Sequence, residues 1–373
     1  MMIKTNPPIW ILTGAREGDN AQLRVLAKAT ELAFVEKNIS YNGLYRLPNM
    51  LKDQGLWTVR PASRGLLQPP WPKIVMSVGR RSVPVMRWIK QQSGSMTRLV
   101  HIGRPRTKLD LFDLIITTPQ YRLPTRPNIM KLPLPLSRLR GVELEHEAEK
   151  WHHLTNGLEG PFTSLLVGGD TDSYEFNAQS AARLGAAVSA HVKAKGGSVM
   201  VTTSPRTSVQ AEQALSDALK VPAYFYRWSE AGGANNPFLG LLALADDIVV
   251  TSDSASLLSD AVIADKPIWL FDTPIRPRKF GKVWLDDLFS EIEGDERTMR
   301  QPQILLRVLR KMGDHGLVNP PRRMARVIDA LAAEQLLCWL GDDEAQQSPT
   351  SVLKTRCENM LDKAVARIHA LCD

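Results

Sequence analysis

Cysteine is scarce in this chain of 373 residues: three in all, Cys338, Cys357 and Cys372, crowded toward the C-terminus. An odd, clustered set is no disulfide framework and lacks the paired spacing of metal ligands, so a reducing, cytoplasmic setting is expected. No apolar run approaches the roughly 20 residues that a membrane-crossing helix needs. The short apolar run at residues 9–12 is also too brief for a signal peptide. Aromatic residues make up only 6% of the chain, and no basic stripe is interleaved with them, which removes the usual marks of a nucleic-acid binder. The GxGxxG spacing of a dinucleotide fingerprint is absent as well.

What is present is a mixed, moderately apolar composition, which belongs to globular rather than disordered chains. Its length exceeds one ordinary core, so two domains are expected. A net charge of +8 and a pI near 9.4 favour an anionic partner, with nucleotides and phospholipid surfaces the first choices.

Short β-branched runs alternate with amphipathic stretches through the first 135 residues. Strands are predicted at residues 9–12, 73–78, 98–102, 113–117 and 129–132, with helices after the first two and an irregular Pro-, Gly-, Trp- and Arg-rich segment at 41–72. The first strand runs into TGAREGDNAQ, where Gly14 and Gly18 allow a tight turn or a close ligand. Glu17 and Asp19 stand at that strand's C-terminal edge, where open α/β sheets bind ligands; they also suit the first turn of a helix. Arg80, Arg81, Arg104, Arg106 and Lys108 follow other strands and would gather at the same edge as an anion-binding face, or stand solvated. Residues 142–158, with His146, His152 and His153 among glutamates, read as a solvated linker helix rather than a metal site.

A second alternating domain starts near residue 161. Three polar turns follow its strands: GGDTDS, with Gly168 and Gly169; TTSPRT, with Ser204 and Arg206; and TSDSAS, with Ser254 and Ser256. The last sits inside residues 236–272, which read as helix, strand, turn, helix and strand. Hydroxyls and free N–H groups at helix starts suit phosphate, and Ser and Asp are equally good N-caps. Asp170 and Asp172 have Asp-x-Asp spacing, which caps a turn as readily as it holds a metal. Residues 322–340 read as one amphipathic helix, 341–350 as a polar linker and 351–371 as a last helix beyond the domains.

WILTGAREGDNAQ, KIVMSVGRRSVPVMRWIK, VHIGRPRTKLDLFDLIITT, SLLVGGDTDSYEF, VTTSPRT and NPFLGLLALADDIVVTSDSASLLSDA occur in this order. Together they resemble the bacterial relatives of the plant elongated-mitochondria fission protein, a glycosyltransferase-like family once labelled nucleoside-diphosphate-sugar epimerases. The resemblance spans roughly residues 8–335. It implies an α/β, GT-B-like fold: two doubly wound Rossmann-like domains facing a cleft, with C-terminal helices. The expected bounds are an acceptor domain at 1–140, a linker at 141–160, a donor-nucleotide domain at 161–325, and helices and tail at 326–373.

The same resemblance implies a metal-independent inverting glycosyltransferase of cell-envelope polysaccharide or lipopolysaccharide assembly. Its alternatives are a nucleotide-sugar epimerase and a non-catalytic adaptor. No cofactor is implied, the nucleotide sugar being a co-substrate and a glycan or glycolipid the acceptor. Gly168, Gly169, Ser204, Arg206, Asn236, Ser254 and Ser256 would hold the donor, with Asp260 at the ribose. The family usually has Glu where Asp260 stands, and often Arg where Pro205 stands. Glu17 or Asp19 would be the general base, and Gly14 with Arg80, Arg81, Arg104 and Arg106 would meet an anionic acceptor. Basic loops near Trp57, Trp71 and Trp88 suit peripheral contact with an anionic inner membrane face.

Overall fold

The computed structural model describes residues 8–47, 49, 52, 54–137, 144–229, 235–277, 284–285, 287–290, 303–334, 336–342 and 350–372. The start of the expected linker helix, the glycine-rich 230–234, the basic 278–283 and most of the polar linker at 343–349 lie outside the described residues. The chain forms two compact units: residues 1–136, 279–322 and 358–373 in the first, and 137–278 and 323–357 in the second. Each holds one parallel six-stranded sheet, so the chain is α/β with two doubly wound, Rossmann-like units.

In unit one the strands are β1 (Ile9–Thr13), β2 (Phe34–Asn38), β3 (Ile74–Val78), β4 (Arg98–Ile102), β5 (Leu114–Thr117) and β6 (Ile129–Lys131). Their order across the sheet is β2-β1-β3-β4-β5-β6. Alternate residues of one strand enter opposite cores, because strand side chains alternate in direction. Ile9, Ile11, Ile74 and Met76 join one cluster, with Leu23 and Leu26 of the helix Glu17–Ala29. Trp10, Leu12 and Val75 join the other, with Met86 and Ile89 of the helix Val83–Gln92. Coverage on both faces explains why these strands read as continuous apolar runs. β2 escapes that pattern. Its sequence FVEKN carries Glu36 and Lys37, and as an edge strand it pairs only with β1, so polar residues there are tolerated.

The last helix, Thr350–His369, is no appendage. Leu361, Ala364 and Ile368 are at most 4% exposed and complete the Ile9–Met76 core. Leu361 and Ile368 each contribute about 1.5–3 kcal/mol through burial, and the Ala364 methyl less.

Unit two contains β7 (Phe162–Leu166), β8 (Ser198–Thr202), β9 (Ala223–Tyr226), β10 (Asp247–Thr251), β11 (Ile268–Phe271) and β12 (Cys338–Trp339). Their order is β12-β11-β10-β7-β8-β9, all parallel. The helix expected at 322–340 is shorter, Ala325–Ala333, and the chain beyond it turns extended so that Cys338 and Trp339 pair with Trp269 and Leu270. At the opposite end of the sheet from the polar turns, Asp247 is held by His191 Nε2 and Lys195 Nζ, each at 2.7 Å. Burial pushes its carboxyl up, but the hydrogen bonds from His191, Lys195 and Thr163 win and hold it below the usual value.

The helix Leu144–Trp151 was expected to be solvated. Instead it packs on the helix Phe238–Leu244, with Trp151 against Gly240. A Cβ at Gly240 would stand 2.3 Å from the Trp151 ring. Gly240→Ala is therefore expected to cost about 1–3 kcal/mol, the usual penalty of overpacking. A shift of the urea midpoint checks it; an unchanged midpoint would mean that Trp151 does not seat there.

Candidate functional site

In a doubly wound sheet, ligands bind beyond the carboxyl ends of the strands where the strand order reverses. In unit one that point lies between β1 and β3, and a pocket of about 960 Å3 opens there. The turns after β1, β3 and β4 supply Gly14, Arg16 and Asp19, then Arg80 and Arg81, then Arg104 and Arg106. The irregular segment adds Tyr45, Arg46 and Arg60, and Tyr121 and Arg322 complete the lining. Eight arginines thus face one carboxylate, that of Asp19.

Asn20 shapes the first turn. Its Oδ1 accepts from Gly14 N at 2.9 Å and its Nδ2 donates to Gly14 O at 2.7 Å, pinning the loop to the helix start. The two carboxylates of this turn separate. Glu17 points outward, its side chain 74% exposed and paired with Arg24, which also grips Glu36. Asp19 points into the pocket with its carboxylate unbonded among the described residues. Burial pushes its carboxyl above the ordinary value, against the pull of Arg16, Arg322 and Arg81. A carboxylate made more basic while surrounded by cations is the condition a general base needs. Of the expected pair, Asp19 has this environment and Glu17 does not.

The arginines divide by what they touch. Arg104 is 8% exposed and donates to the carbonyls of Tyr121, Arg122 and Gly313 at 3.0–3.2 Å. It braces the pocket wall rather than offering a free anion site. Arg81 lies over the Tyr45 ring at 4.1 Å, and Arg322 lies over Tyr121 at 5.2 Å while its Nε donates to Gln120 at 2.6 Å. Arg80 reaches the Arg46 carbonyl at 3.4 Å. The side chains of Arg16 and Arg106 have no hydrogen-bond partner among the described residues. Asn49 ties the covering segment down, donating to Arg80 O at 3.0 Å and Pro105 O at 2.9 Å. Trp71 meets Trp10 and Trp88 edge to face with centroids 5.8 and 5.6 Å apart, so of the three tryptophans expected at a surface, Trp71 and Trp88 serve the core instead.

In unit two the order reverses between β7 and β10, and the three polar turns meet there. Gly168 N donates to Thr251 Oγ1 at 2.8 Å, and Gly169 N donates to Asp253 Oδ2 at 3.1 Å. A Cβ at Gly168 would lie 2.2 Å from Asp253 Oδ2, and one at Gly169 would lie 2.3 Å from Arg206 O, so only glycine fits either position. Arg206 Nη1 binds Asp253 Oδ2 at 2.7 Å and Gly169 O at 3.1 Å. Thr207 Oγ1 donates to Gly168 O at 2.6 Å, and Ser204 donates to the same carbonyl. Asp253 is fully buried at its side chain, and its Oδ1 has no partner among the described residues.

Ser254 is the N-cap of the helix Ala255–Ile263, with Leu257 N at 3.5 Å from its Oγ. Ser256 is exposed beside it. Asn236 accepts from Phe238 N at 3.0 Å. Asp260 is 4% exposed and accepts from Ser137 Oγ at 2.7 Å, so its carboxylate holds the connector in place rather than standing open toward a ribose. Asp170 accepts from Phe176 N at 2.7 Å and pairs with Arg276 at 3.0 Å, which are the contacts of a turn-forming residue.

Sequence reasoning missed several of these residues. Asn20 and Asp253 lie inside the TGAREGDNAQ and TSDSAS stretches, where nothing local distinguishes them from the other polar residues. Arg16 was in view too, but Arg46, Arg60 and Arg322 carry no local signal, since only the fold brings them to the pocket.

A family model described as Mitochondrial fission ELM1 matches residues 17–289. The mitochondrial fission protein ELM1 of Arabidopsis thaliana is 26% identical over 221 residues, 53% of this chain and 51% of that protein. The chain thus spans about half the length of that curated relative. An uncharacterised protein of Rickettsia prowazekii (strain Madrid E) is 21% identical over 313 residues, 76% of this chain and 88% of that one. Among solved structures, the S. aureus MnaA–UDP co-structure aligns with a TM-score of 0.44 at 10% identity, covering 88% of this chain and 96% of that chain.

Two contrasts test these assignments. Asp19 has a raised folded-state pKa, so its ionisation opposes folding, and that cost sets in as the pH rises above the unfolded value. Asp19→Asn is expected to raise the unfolding temperature at pH 7, with the gain vanishing near and below pH 3.8. Glu17→Gln loses only an exposed pair, about 0–1 kcal/mol. Arg206→Ala strands the buried Asp253 carboxylate and should cost about 3 kcal/mol, whereas Ser256→Ala stays within about 0.5 kcal/mol. Urea midpoints report both; equal effects at Arg206 and Ser256 would contradict the pairing.

Proposed function

The chain belongs to the mitochondrial fission ELM1 family, and from that premise we propose that it is a glycosyltransferase using a nucleotide-activated sugar. Unit one binds the acceptor and unit two the donor. The observation that carries this reading is the unit-one pocket, where one carboxylate of raised basicity stands among eight arginines. Asp19 accepts the proton of an acceptor hydroxyl. The freed oxygen attacks the anomeric carbon, a new glycosidic C–O bond forms, and the bond to the diphosphate breaks with its electron pair leaving on the nucleoside diphosphate. A single displacement of this kind inverts the anomeric centre. Guanidinium groups stabilise anionic charge best where water is sparse. The step calls on no cofactor. The family resemblance favours cell-envelope polysaccharide or lipopolysaccharide as the product's destination.

For the donor, the reversal point of unit two offers the start of the helix Ala255–Ile263 and the glycine turn at Gly168 and Gly169. Helix starts favour phosphate. Arg206 is the cation nearest this turn, and Ser254 and Ser256 flank it.

A second reading is a non-catalytic module that keeps the fold. One observation favours it: Ser204, Thr207, Arg206 and Asp253 already bond to one another and to the glycine turn. A peripheral place at a membrane would suit either reading; among the described residues no helix is long and apolar enough to cross one.

The test is nucleoside-diphosphate release by the full chain from a panel of nucleotide sugars, with and without glycan acceptors. Asp19→Asn is expected to lower kcat about 10^2–10^4-fold, the usual worth of a general base. Conversion of a nucleotide sugar with no acceptor would favour epimerisation instead. Full cellular function of Asp19→Asn would favour the non-catalytic module.

A further inference from the structure

The pocket of unit one carries more positive charge than one phosphate or carboxylate calls for, and its arginines fall into two groupings. The first surrounds Asp19. Arg81 and Arg322 are held there before any ligand arrives, one stacked on Tyr45 and the other on Tyr121 with Gln120 fixing its Nε. Arg16 stands at the start of the helix that carries Asp19, with no side chain capping that helix end. A planar guanidinium already fixed by stacking loses little freedom on gripping a phosphate.

The second grouping is Arg80 with Arg106. Their loops are tied together by Asn49, which donates to the carbonyls of Arg80 and Pro105. Gly316 abuts the Arg106 backbone: a Cβ there would lie 2.4 Å from Arg106 C, so the loop has little room to shift. The Arg80 charge also acts on a neighbour. Burial first, and the Arg80 charge second, bring the Lys52 ammonium down to about 8. Like charges gathered in one concavity repel, and the Asp19 carboxylate alone does not offset them. An anion at each end does.

We infer that this pocket takes a saccharide bearing two anionic groups, of the bisphosphorylated class, with one group at Arg81 and Arg322 beside Asp19 and the other at Arg80 and Arg106. The inference rests on the reading of unit one as the acceptor site and names the acceptor's chemical class. Tyr41, Tyr45 and Tyr121 also line the pocket. The same chemistry is found in a free sugar bisphosphate and in a phosphorylated glycolipid headgroup.

Calorimetry on the full chain, with no nucleotide sugar present, tests this. The probes are fructose 1,6-bisphosphate, fructose 6-phosphate and orthophosphate. The bisphosphate is expected to bind about tenfold or more tightly than the monophosphate, and to weaken with added salt. The double variants Arg81→Gln/Arg322→Gln and Arg80→Gln/Arg106→Gln should each bring bisphosphate affinity down to that of the monophosphate. Arg81→Lys/Arg322→Lys, which keeps the charge, should recover much of it, and this variant separates lost binding from lost folding. Equal affinity for one and two phosphates, or wild-type bisphosphate affinity in either glutamine variant, would overturn the inference.

Vesicles of phosphatidylglycerol, which present single lipid phosphates without a saccharide, are expected not to displace the bisphosphate. Displacement by them would overturn it in favour of a lipid surface. Because binding is read without turnover, absence of glycosyl transfer leaves the result standing. Transfer to a neutral acceptor with no bisphosphate preference would sink this inference alone.

Discussion

The reversal of strand order in a parallel sheet is the constraint on which the rest depends. Connections leave β1 and β3 toward opposite faces of the first sheet, and those of β7 and β10 do so in the second. Main-chain N–H groups and loop side chains at that edge are not consumed by the sheet, so polar residues collect there without penalty. The cores lie away from it, on both faces of each sheet, in alternating side chains such as Ile9 and Trp10. The closing helix belongs to the same scheme, because Leu361, Ala364 and Ile368 finish the core under β1 and β3.

The two reversal points are furnished differently. In unit two the polar groups satisfy one another: Asp253 joins Gly169 to Arg206, and two hydroxyls meet the Gly168 carbonyl. A buried carboxylate tolerates its loss of hydration only with such partners. In unit one the charges are positive but for the Asp19 carboxylate. They are kept in place by contacts that leave their charge uncompensated: rings under Arg81 and Arg322, and carbonyls around Arg104. A ring or a carbonyl orients a guanidinium without cancelling it, so the pocket stays attractive to anions.

Much of the fold was legible because buried strands announce themselves. IWILT, IVMSV and DIVVT are apolar on both faces, and a residue pattern covered on both sides has no other home. FVEKN did not announce itself, since an edge strand needs only one partner. The site was legible in place more than in role. The turns after the strands were the right turns, but sequence alone does not tell which way a side chain points. Glu17 and Asp19 are two residues apart at a helix start, one on the outer face with Arg24 and one toward the pocket. Arg104 and Arg106 differ in the same way. Asp260 looked available and is bonded to Ser137, a contact 123 residues apart in the chain. Arg322 reaches the pocket from far along the chain, where no local pattern marks it.

Burial raises the Asp19 carboxyl although three arginines oppose it, and on the proposed function that basicity is what fits it to take a proton. Two opposing effects decide the matter: desolvation favours the neutral acid, and cations within reach favour the carboxylate. Carboxyl-carbon NMR of the full chain labelled at aspartate, titrated with pH and assigned through Asp19→Asn, measures the balance directly. A midpoint for Asp19 above 3.8, the ordinary aspartate value, is expected. A midpoint at or below it would mean that the arginines win, and would contradict the assignment of Asp19 as the base.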